Sequence, residues 1–423
     1  MTEALKTTPL NGFHHSTGAN MAGFGGYDMP LWYPSGAVAE HMSVIQAAGL
    51  FDTSHMAVIL LSGNAAFDLL QECFTKDLRS CLGPGRKPLA VGRCVYGAFL
   101  DLEGRCLDDA IAYRLGETDF MVVVNAGMGG VVGNHLKSRD LAGGVEIFDL
   151  SDRLGKMDLQ GPASARVMSR ILDRPGEVFQ NLPYFSFKGC FDPDRPSGSL
   201  VSTTAGVPLL LSRTGYTGEF GFEIFVRAEH AGSVWAAILE AGRELGVIPC
   251  GLAARDSLRA GAVLPLSHQD IGAWPFINHP WSLALPWNSG QTAFTKSFWG
   301  DIVLEKRAGA DHTLAFAGFD PRKVMVHDDA AVLFQGREIG RVLTCAGEVS
   351  IGRVEGRIVG VASADKPEGW KPRGLCCGFV KVADKLENGV LVELRDKRRK
   401  IEVEIVADIR PARTARRPIK DFL

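Results

Sequence analysis

Two aspartates stand side by side in Arg105 to Leu115, RCLDDAIAYRL, a run of strand composition that follows the turn at Glu103 and Gly104. Strand side chains alternate, so Asp109 shares a face with Leu107, Ile111 and Tyr113, while Asp108 shares the other with Cys106, Ala110 and Ala112. Both faces are largely apolar. A carboxylate there is costly to bury without partners, which directs at least one of the pair, Asp109 first, toward a polar cavity or ligand. A capped turn or a surface ion pair is the competing reading, and the pattern alone leaves both open.

A second group lies in Leu211 to Phe225, LSRTGYTGEFGFEIF, where Gly215, Gly218 and Gly221 punctuate two strand-like arms and predict a hairpin. Arg213, Tyr216 and Glu223 would set a cation, a ring and an acceptor around it; a plain glycine-rich turn is the alternative. In Gly251 to Ala262, GLAARDSLRAGA, Arg255 and Arg259 are four residues apart on a predicted helix and share a face. They suit the capture of a carboxylate tail, and equally an ion pair with Asp256 or a place in solvent. Phe51 to Met56, FDTSHM, brings Asp52, Ser54 and His55 together, but there is no G-x-S-x-G elbow, and His55 reads as a packed or hydrogen-bonding histidine. Phe24 to Tyr27, FGGY, lacks the loops that cradle nucleotide phosphates.

The elements that must carry these residues are mixed. Short β-branched and aromatic runs alternate with helical stretches at Ser233 to Leu245 and Leu252 to Val263, which predicts an α+β fold with antiparallel sheets. Val390, Val392 and Leu394 alternate with polar residues, as do Ile401, Val403 and Ile405 beyond the charged turn Arg395 to Lys400, giving a hairpin in a C-terminal β module. That turn, with Arg410, Arg413, Arg416 and Arg417, makes the end of the chain basic; a solvated tail and a dock for an acidic partner both fit.

A length of 423 residues, 46% of them hydrophobic, predicts about three domains. A net charge of -2 excludes partners selected by bulk charge, so neither nucleic acid nor a membrane surface is expected. The first eighteen residues lack a basic stretch followed by an apolar run, and apolar runs such as Phe120 to Val124 fall far short of the roughly 20 residues of a membrane helix. Nine cysteines with no C-x-x-C spacing fit a reducing cytoplasm, and the adjacent Cys376 and Cys377 read as ordinary packing on opposite strand faces.

In order along the chain, GFGGYDMPLWY, FDTSHM, LDDAIAY, VVNAG, LQGP, SRTGYTGEFGFEIF and GLAARDSLR resemble the glycine cleavage T-protein (aminomethyltransferase) family. The seven blocks lie between residues 18 and 259, and a looser similarity continues to the C-terminal β region. The resemblance implies a three-domain α+β fold with antiparallel sheets around a central folate cavity and a C-terminal jelly-roll-like β domain. It divides the chain into a discontinuous folate-binding domain (1–55 and 153–254), a ferredoxin-like domain (56–152 and 255–312) and the β domain (313–423). It assigns pterin binding to Asp109, which is also the catalytic residue, and a lining role to Tyr96, Asn125, Tyr216, Glu223 and Arg255. The implied reaction uses tetrahydrofolate, needs no metal, and takes an aminomethyl group from a lipoyl carrier protein.

Departures from the family pattern gather away from these residues. Ala260, Gly261 and Ala262 replace a stretch with an acid, and His268, Trp274, His279 and Trp281 stand where the family has a Tyr-Gly and an acidic-polar run. The segment Glu348 to Gly374 is longer. They leave open a folate-dependent demethylase of a small S-, N- or O-methyl compound, with Trp274 and Trp281 facing a cationic methyl donor. A non-catalytic folate-binding protein is the third reading, since Lys188, Gly189 and Cys190 partly match the hallmark of iron-sulfur-cluster assembly relatives.

Overall fold

The computed structural model describes residues 4–83, 85–192, 199–306, 309–326 and 330–423, which leaves the first three residues of the N-terminal segment outside it. Its largest open sheet has six strands in the spatial order Phe187–Gly189, Leu210–Ser212, Gly221–Arg227, Leu154–Gln160, Ala48–Asp52 and Val247–Cys250. All neighbours are antiparallel except the last pair. Leu154–Gln160 is buried along its whole length, and alternation sorts it: Met157 and Leu159 enter the core, whereas Lys156, Asp158 and Gln160 turn to the other face. The core side is covered by Ser164–Ile171 and Ala231–Gly242. The second of these buries Ala231, Val234, Trp235 and Ile238, an i, i+3, i+4, i+7 stripe in which Val234, Trp235 and Ile238 each contribute roughly 1.5–3 kcal/mol. It tightens into a 3₁₀ turn and stops at Gly246, whose φ of 77° suits a residue without Cβ.

A five-stranded antiparallel sheet follows the order Cys94–Leu100, Cys106–Arg114, Asp119–Val124, Ala57–Ser62 and Glu146–Asp149. Helices Ala66–Cys73 and Gly129–Arg139 cover one face through Leu69, Leu70, Val132 and Leu136. Its opposite face, with Val58, Tyr113, Met121 and Val123, packs on Leu210 and Phe225 of the six-stranded sheet. The two sheets therefore meet across a shared apolar seam, and the predicted site residues lie along it.

The C-terminal β region closes into a six-stranded antiparallel barrel, in the order His312–Gly318, Leu375–Val382, Arg337–Glu348, Ala331–Phe334, Leu391–Arg395 and Lys400–Ile405. The hairpin expected there forms, with Val392 opposite Val403 and Leu394 opposite Ile401. Cys376 points into the barrel core with Val332 and Val403, and Cys377 points to the outer cluster with Trp281 and Leu343, as alternation requires. Within Glu348 to Gly374, the strands Ile351–Val354 and Arg357–Gly360 pair as a small hairpin. Among the described residues no helix is long and apolar enough to cross a membrane.

Candidate functional site

A cavity of about 1180 Å³ opens where the two sheets and helix Leu252–Gly261 converge, and Tyr96, Asp109, Asn125, Tyr216, Glu223 and Arg255 all line it. Its walls between these groups are apolar, with Met56, Ile111, Val123 and Trp281 among them. Asp109 is carried on Cys106–Arg114 opposite Ala98, and Tyr96 lies on the neighbouring strand opposite Ile111. Gly97 between them leaves room for Phe74, whose ring a Cβ would meet at 2.6 Å.

The acid pair is bridged rather than separated. Tyr96 donates its hydroxyl to Asp109 Oδ2 at 2.8 Å, and Asn125 Nδ2 lies 2.8 Å from both Asp109 Oδ1 and Asp108 Oδ1. The backbone N–H of Asn125 donates to Asp108 Oδ2 at 2.8 Å, so the turn after Asp119–Val124 is tied to both carboxylates. Asp108 is fully buried, whereas Asp109 keeps partial exposure to the cavity. Burial, and then the charge of Asp108, push Asp109 from 3.8 up to about 6. It can thus hold or release a proton near neutral pH.

At the other end, Glu223 faces the cavity from Gly221–Arg227. Lys156 Nζ donates to Glu223 Oε1 and to Asp158 Oδ1, both at 2.7 Å, and Arg255 Nη1 donates to Asp158 Oδ2 at 2.7 Å. Burial opposes charge on Asp158, but Lys156 and Arg255 outweigh it and hold the carboxyl at about 2. Thr214 and Tyr113 donate to Glu223 Oε2, so a carboxylate with about four lone-pair sites keeps one acceptor direction, on Oε1. Tyr216 donates to the carbonyl of Pro265, and the Arg255 guanidinium lies 4.9 Å from its ring centre. In the same loop, a Cβ on Gly215 would lie 2.0 Å from Gln160 Oε1, which explains the glycine.

The family model described as "GCVT N-terminal domain" matches residues 10–274. An aminomethyltransferase of Streptomyces coelicolor is 34% identical over 405 residues, covering 94% of this chain and 96% of that protein. The chain belongs to the glycine cleavage T-protein family. Another T-protein relative, the aminomethyltransferase of Symbiobacterium thermophilum, is 41% identical over 275 residues, 64% of this chain and 68% of its own. The crystal structure of glycine cleavage system aminomethyltransferase T from Bartonella henselae superposes with a TM-score of 0.72 at 27% identity, covering 95% of this chain and 97% of that one.

Six of the seven T-protein blocks place a residue on the cavity wall. The seventh, LQGP, supports it from behind, since the Gln160 amide donates to the carbonyls of Thr214 and Phe222. Other expectations are corrected. Arg213 is buried away from the cavity, 4.0 Å from the ring centre of Phe220 and bonded to the carbonyls of Gly221 and Ala415, because its loop turns toward the C-terminal tail. For Arg259 the ion pair with Asp256 forms as the alternative reading had it, and Asp270 adds a second acid, so the guanidinium is not free to receive a carboxylate tail. Trp274 lies beside the cations of Arg341 and Lys381, each 5.3 Å from its ring, while Trp281 does reach the cavity.

Three features go beyond the sequence reading, the second of them a new position for a histidine already read as packed. Lys156 and Asp158 were legible only as a polar face on an otherwise buried strand. His55 lines the cavity in contact with the Phe24 ring, its Nδ1 is buried with no protein partner, and burial pushes it down to about 4 against the pull of Asp52. The third joins remote segments: His41 Nε2 lies 2.8 Å from Glu348 Oε1, and Arg410 pairs with Glu348 and Glu219. Arg410 is therefore an internal ion-pair partner and no part of an exposed basic tail.

Proposed function

We propose that this enzyme is a tetrahydrofolate-dependent aminomethyltransferase of the glycine cleavage type, working in the cavity between the two sheets. The observation that carries the reading is the convergence of Tyr96, Asp109, Asn125, Tyr216, Glu223 and Arg255 on one space of about 1180 Å³. The donor set suits a flat, hydrogen-bonding heterocycle: apolar walls, a free acceptor direction on Glu223, and the unpartnered Nδ1 of His55. When bound, tetrahydrofolate supplies a nucleophilic ring nitrogen that takes the one-carbon unit from an aminomethyl-bearing lipoyl sulfur, ammonia being released. Glu223 would accept from the amino-pyrimidine edge, Tyr216 would line the pocket beside it, and Asp109 would hold or take a proton on its carboxylate and counter positive charge at the reacting nitrogen. Tyr96 and Asn125 fix that carboxylate in one rotamer.

The same reading divides the chain into 1–55 with 153–254, 56–152 with 255–312, and 313–423. It gives the one-carbon donor as an aminomethyl-bearing lipoyl carrier protein. Exposed Arg398 and Arg399 at the barrel hairpin support this, with Arg399 bonded to the carbonyl of Lys323, a residue of the cavity rim. Nine free thiols support a cytoplasmic home. The test is mass spectrometry of the folate pool after incubation with tetrahydrofolate and either aminomethyl-loaded lipoyl carrier or small methylated donors. Methylenetetrahydrofolate from the loaded carrier is the expected product; methyltetrahydrofolate formed only from a small donor would overturn the reading.

A further inference from the structure

His268 sits at φ 63°, in the left-handed region that residues with a Cβ seldom adopt. What its side chain reaches there is the inner acid of the pair: Nε2 lies 3.4 Å from Asp108 Oδ1, and the preceding Ser267 donates its hydroxyl to the same oxygen at 3.0 Å. From Asp108 the contacts continue inward. Asn125 Nδ2 bridges Asp108 Oδ1 and Asp109 Oδ1, so a half-exposed imidazole and the cavity carboxylate are joined through one buried acid and one amide. Neither Ser267 nor Asn125 carries charge, so they position Asp108 without neutralising it.

The charges around this chain of contacts leave His268 a singular place. Tyr96 faces Asp109 from the adjacent strand, the Cys106 thiol and Asp101 lie along the same strand and its turn, and Tyr216 faces it across the cavity. Arg255 and Arg259 stand beyond Tyr216, and both are already paired with acids. Among the described residues, His268 is the one side chain able to carry positive charge that pairs with either aspartate.

We propose that His268 is a positioning residue that sets the charge state of Asp109 through Asp108 and the Asn125 bridge. A protonated His268 offsets the Asp108 charge, and Asp109 then ionises more readily. Without that positive charge, Asp108 bears on Asp109 unopposed and raises the pH at which it ionises. The hydrogen bond to Asp108 raises His268 above its ordinary value, against burial, so its positive charge persists through the range in which Asp109 changes charge. The value of this coupling to the enzyme rests on the functional reading given above; the coupling itself is a property of the free protein.

His268→Gly removes the imidazole and relieves the left-handed strain, so the variant is expected to fold at least as well as the parent. The assay is carbon NMR of the full chain labelled at aspartate carboxyls, without ligand, with the Asp109 signal identified by its loss in Asp109→Asn. The expected result is an upward move of the Asp109 midpoint by roughly one pH unit, the effect of deleting a nearby cation. The acid limb of the transfer rate should move with it. An unmoved midpoint overturns the proposal, even in a variant with lowered turnover or melting temperature, because that is what a merely structural residue gives. A moved midpoint in a protein that transfers nothing to tetrahydrofolate upholds the coupling and strikes the functional reading instead.

Discussion

Replacing Asp109 with Asn separates the chemistry of the site from the stability of the fold, because the wild-type carboxylate works against folding. Its folded value stands at about 6 against 3.8, through burial and the Asp108 charge. A carboxyl raised in this way keeps its proton where the unfolded chain has lost it, so stability is greatest below about pH 4 and declines as pH rises toward 6. At pH 7 the cost is on the order of 1–3 kcal/mol, the lower end reflecting screening by cavity water. The Asn side chain has nearly the same shape. Its oxygen can accept from Asn125, and its amide can face Tyr96, whose hydroxyl turns to accept, so the exchange loses about 1 kcal/mol of hydrogen bonding. Asp109→Asn should then equal or exceed wild type by about 0–2 kcal/mol at pH 7, an advantage that shrinks at about pH 4.5. Turnover should fall by about 10²–10⁴-fold. Urea unfolding at the two pH values, with the initial rate of methylenetetrahydrofolate formation, measures both. Wild-type turnover would refute the role of Asp109, and a variant that loses more stability at pH 7 than at acid pH would refute the electrostatics.

Glu223→Gln puts an amide among donors and should weaken tetrahydrofolate binding by about 10–100-fold, as titration calorimetry would show; an unchanged Kd would remove Glu223 from the pterin site. Arg410→Leu leaves the buried Glu348 with His41 as its one ion-pair partner among the described residues and should cost about 3–5 kcal/mol in urea unfolding. Burial raises the Glu348 carboxyl, but His41 and Arg410 outweigh it and hold it below the usual range, so the wild-type advantage is present above about pH 4.5 and lost on acidification. A gap that does not narrow in acid would contradict this. Serine at both Arg398 and Arg399 should weaken carrier binding by about 5–30-fold at low salt and less at high salt, and equal affinity in surface plasmon resonance would discard that docking surface.

The fold was legible where periodicity is strong. The 231–245 and 252–261 helices and the barrel hairpin follow from apolar spacing alone, and the strand carrying the acid pair from composition and its preceding turn. At the site, alternation placed Asp109 and Asp108 on opposite faces, yet it could not show that Asn125 would bridge them, because that contact depends on the pairing of Cys106–Arg114 with Asp119–Val124. Arg213 misled for a related reason: a loop arginine near glycines carries no sign of direction, and the C-terminal tail supplied the carbonyls that draw it away. Glu348 and Arg410 are 62 residues apart, and no local pattern joins them. Lys156 was the one omission with a usable signal, since a lysine inside a wholly buried strand needs acid partners.

The distribution of charge along the cavity separates binding from catalysis. At the Glu223 end, two carboxylates, Glu223 and Asp158, meet two cations, Lys156 and Arg255, and the set is close to neutral before any ligand arrives. A neutral heterocycle edge can dock there without uncovering an ion, so on the proposed function these residues would orient the ligand and do little to distinguish ground from transition state. At the other end, Asp109 faces the cavity with Asp108 buried behind it, and among the described residues only His268 pairs with either acid, leaving a surplus of negative charge in a low-dielectric wall. On the proposed function, positive charge that develops at a folate nitrogen during transfer would be stabilised at that end more than the neutral ground state is, and only such differential stabilisation raises the rate. Substitution of Glu223 should therefore appear chiefly in KM, and substitution of Asp109 chiefly in kcat.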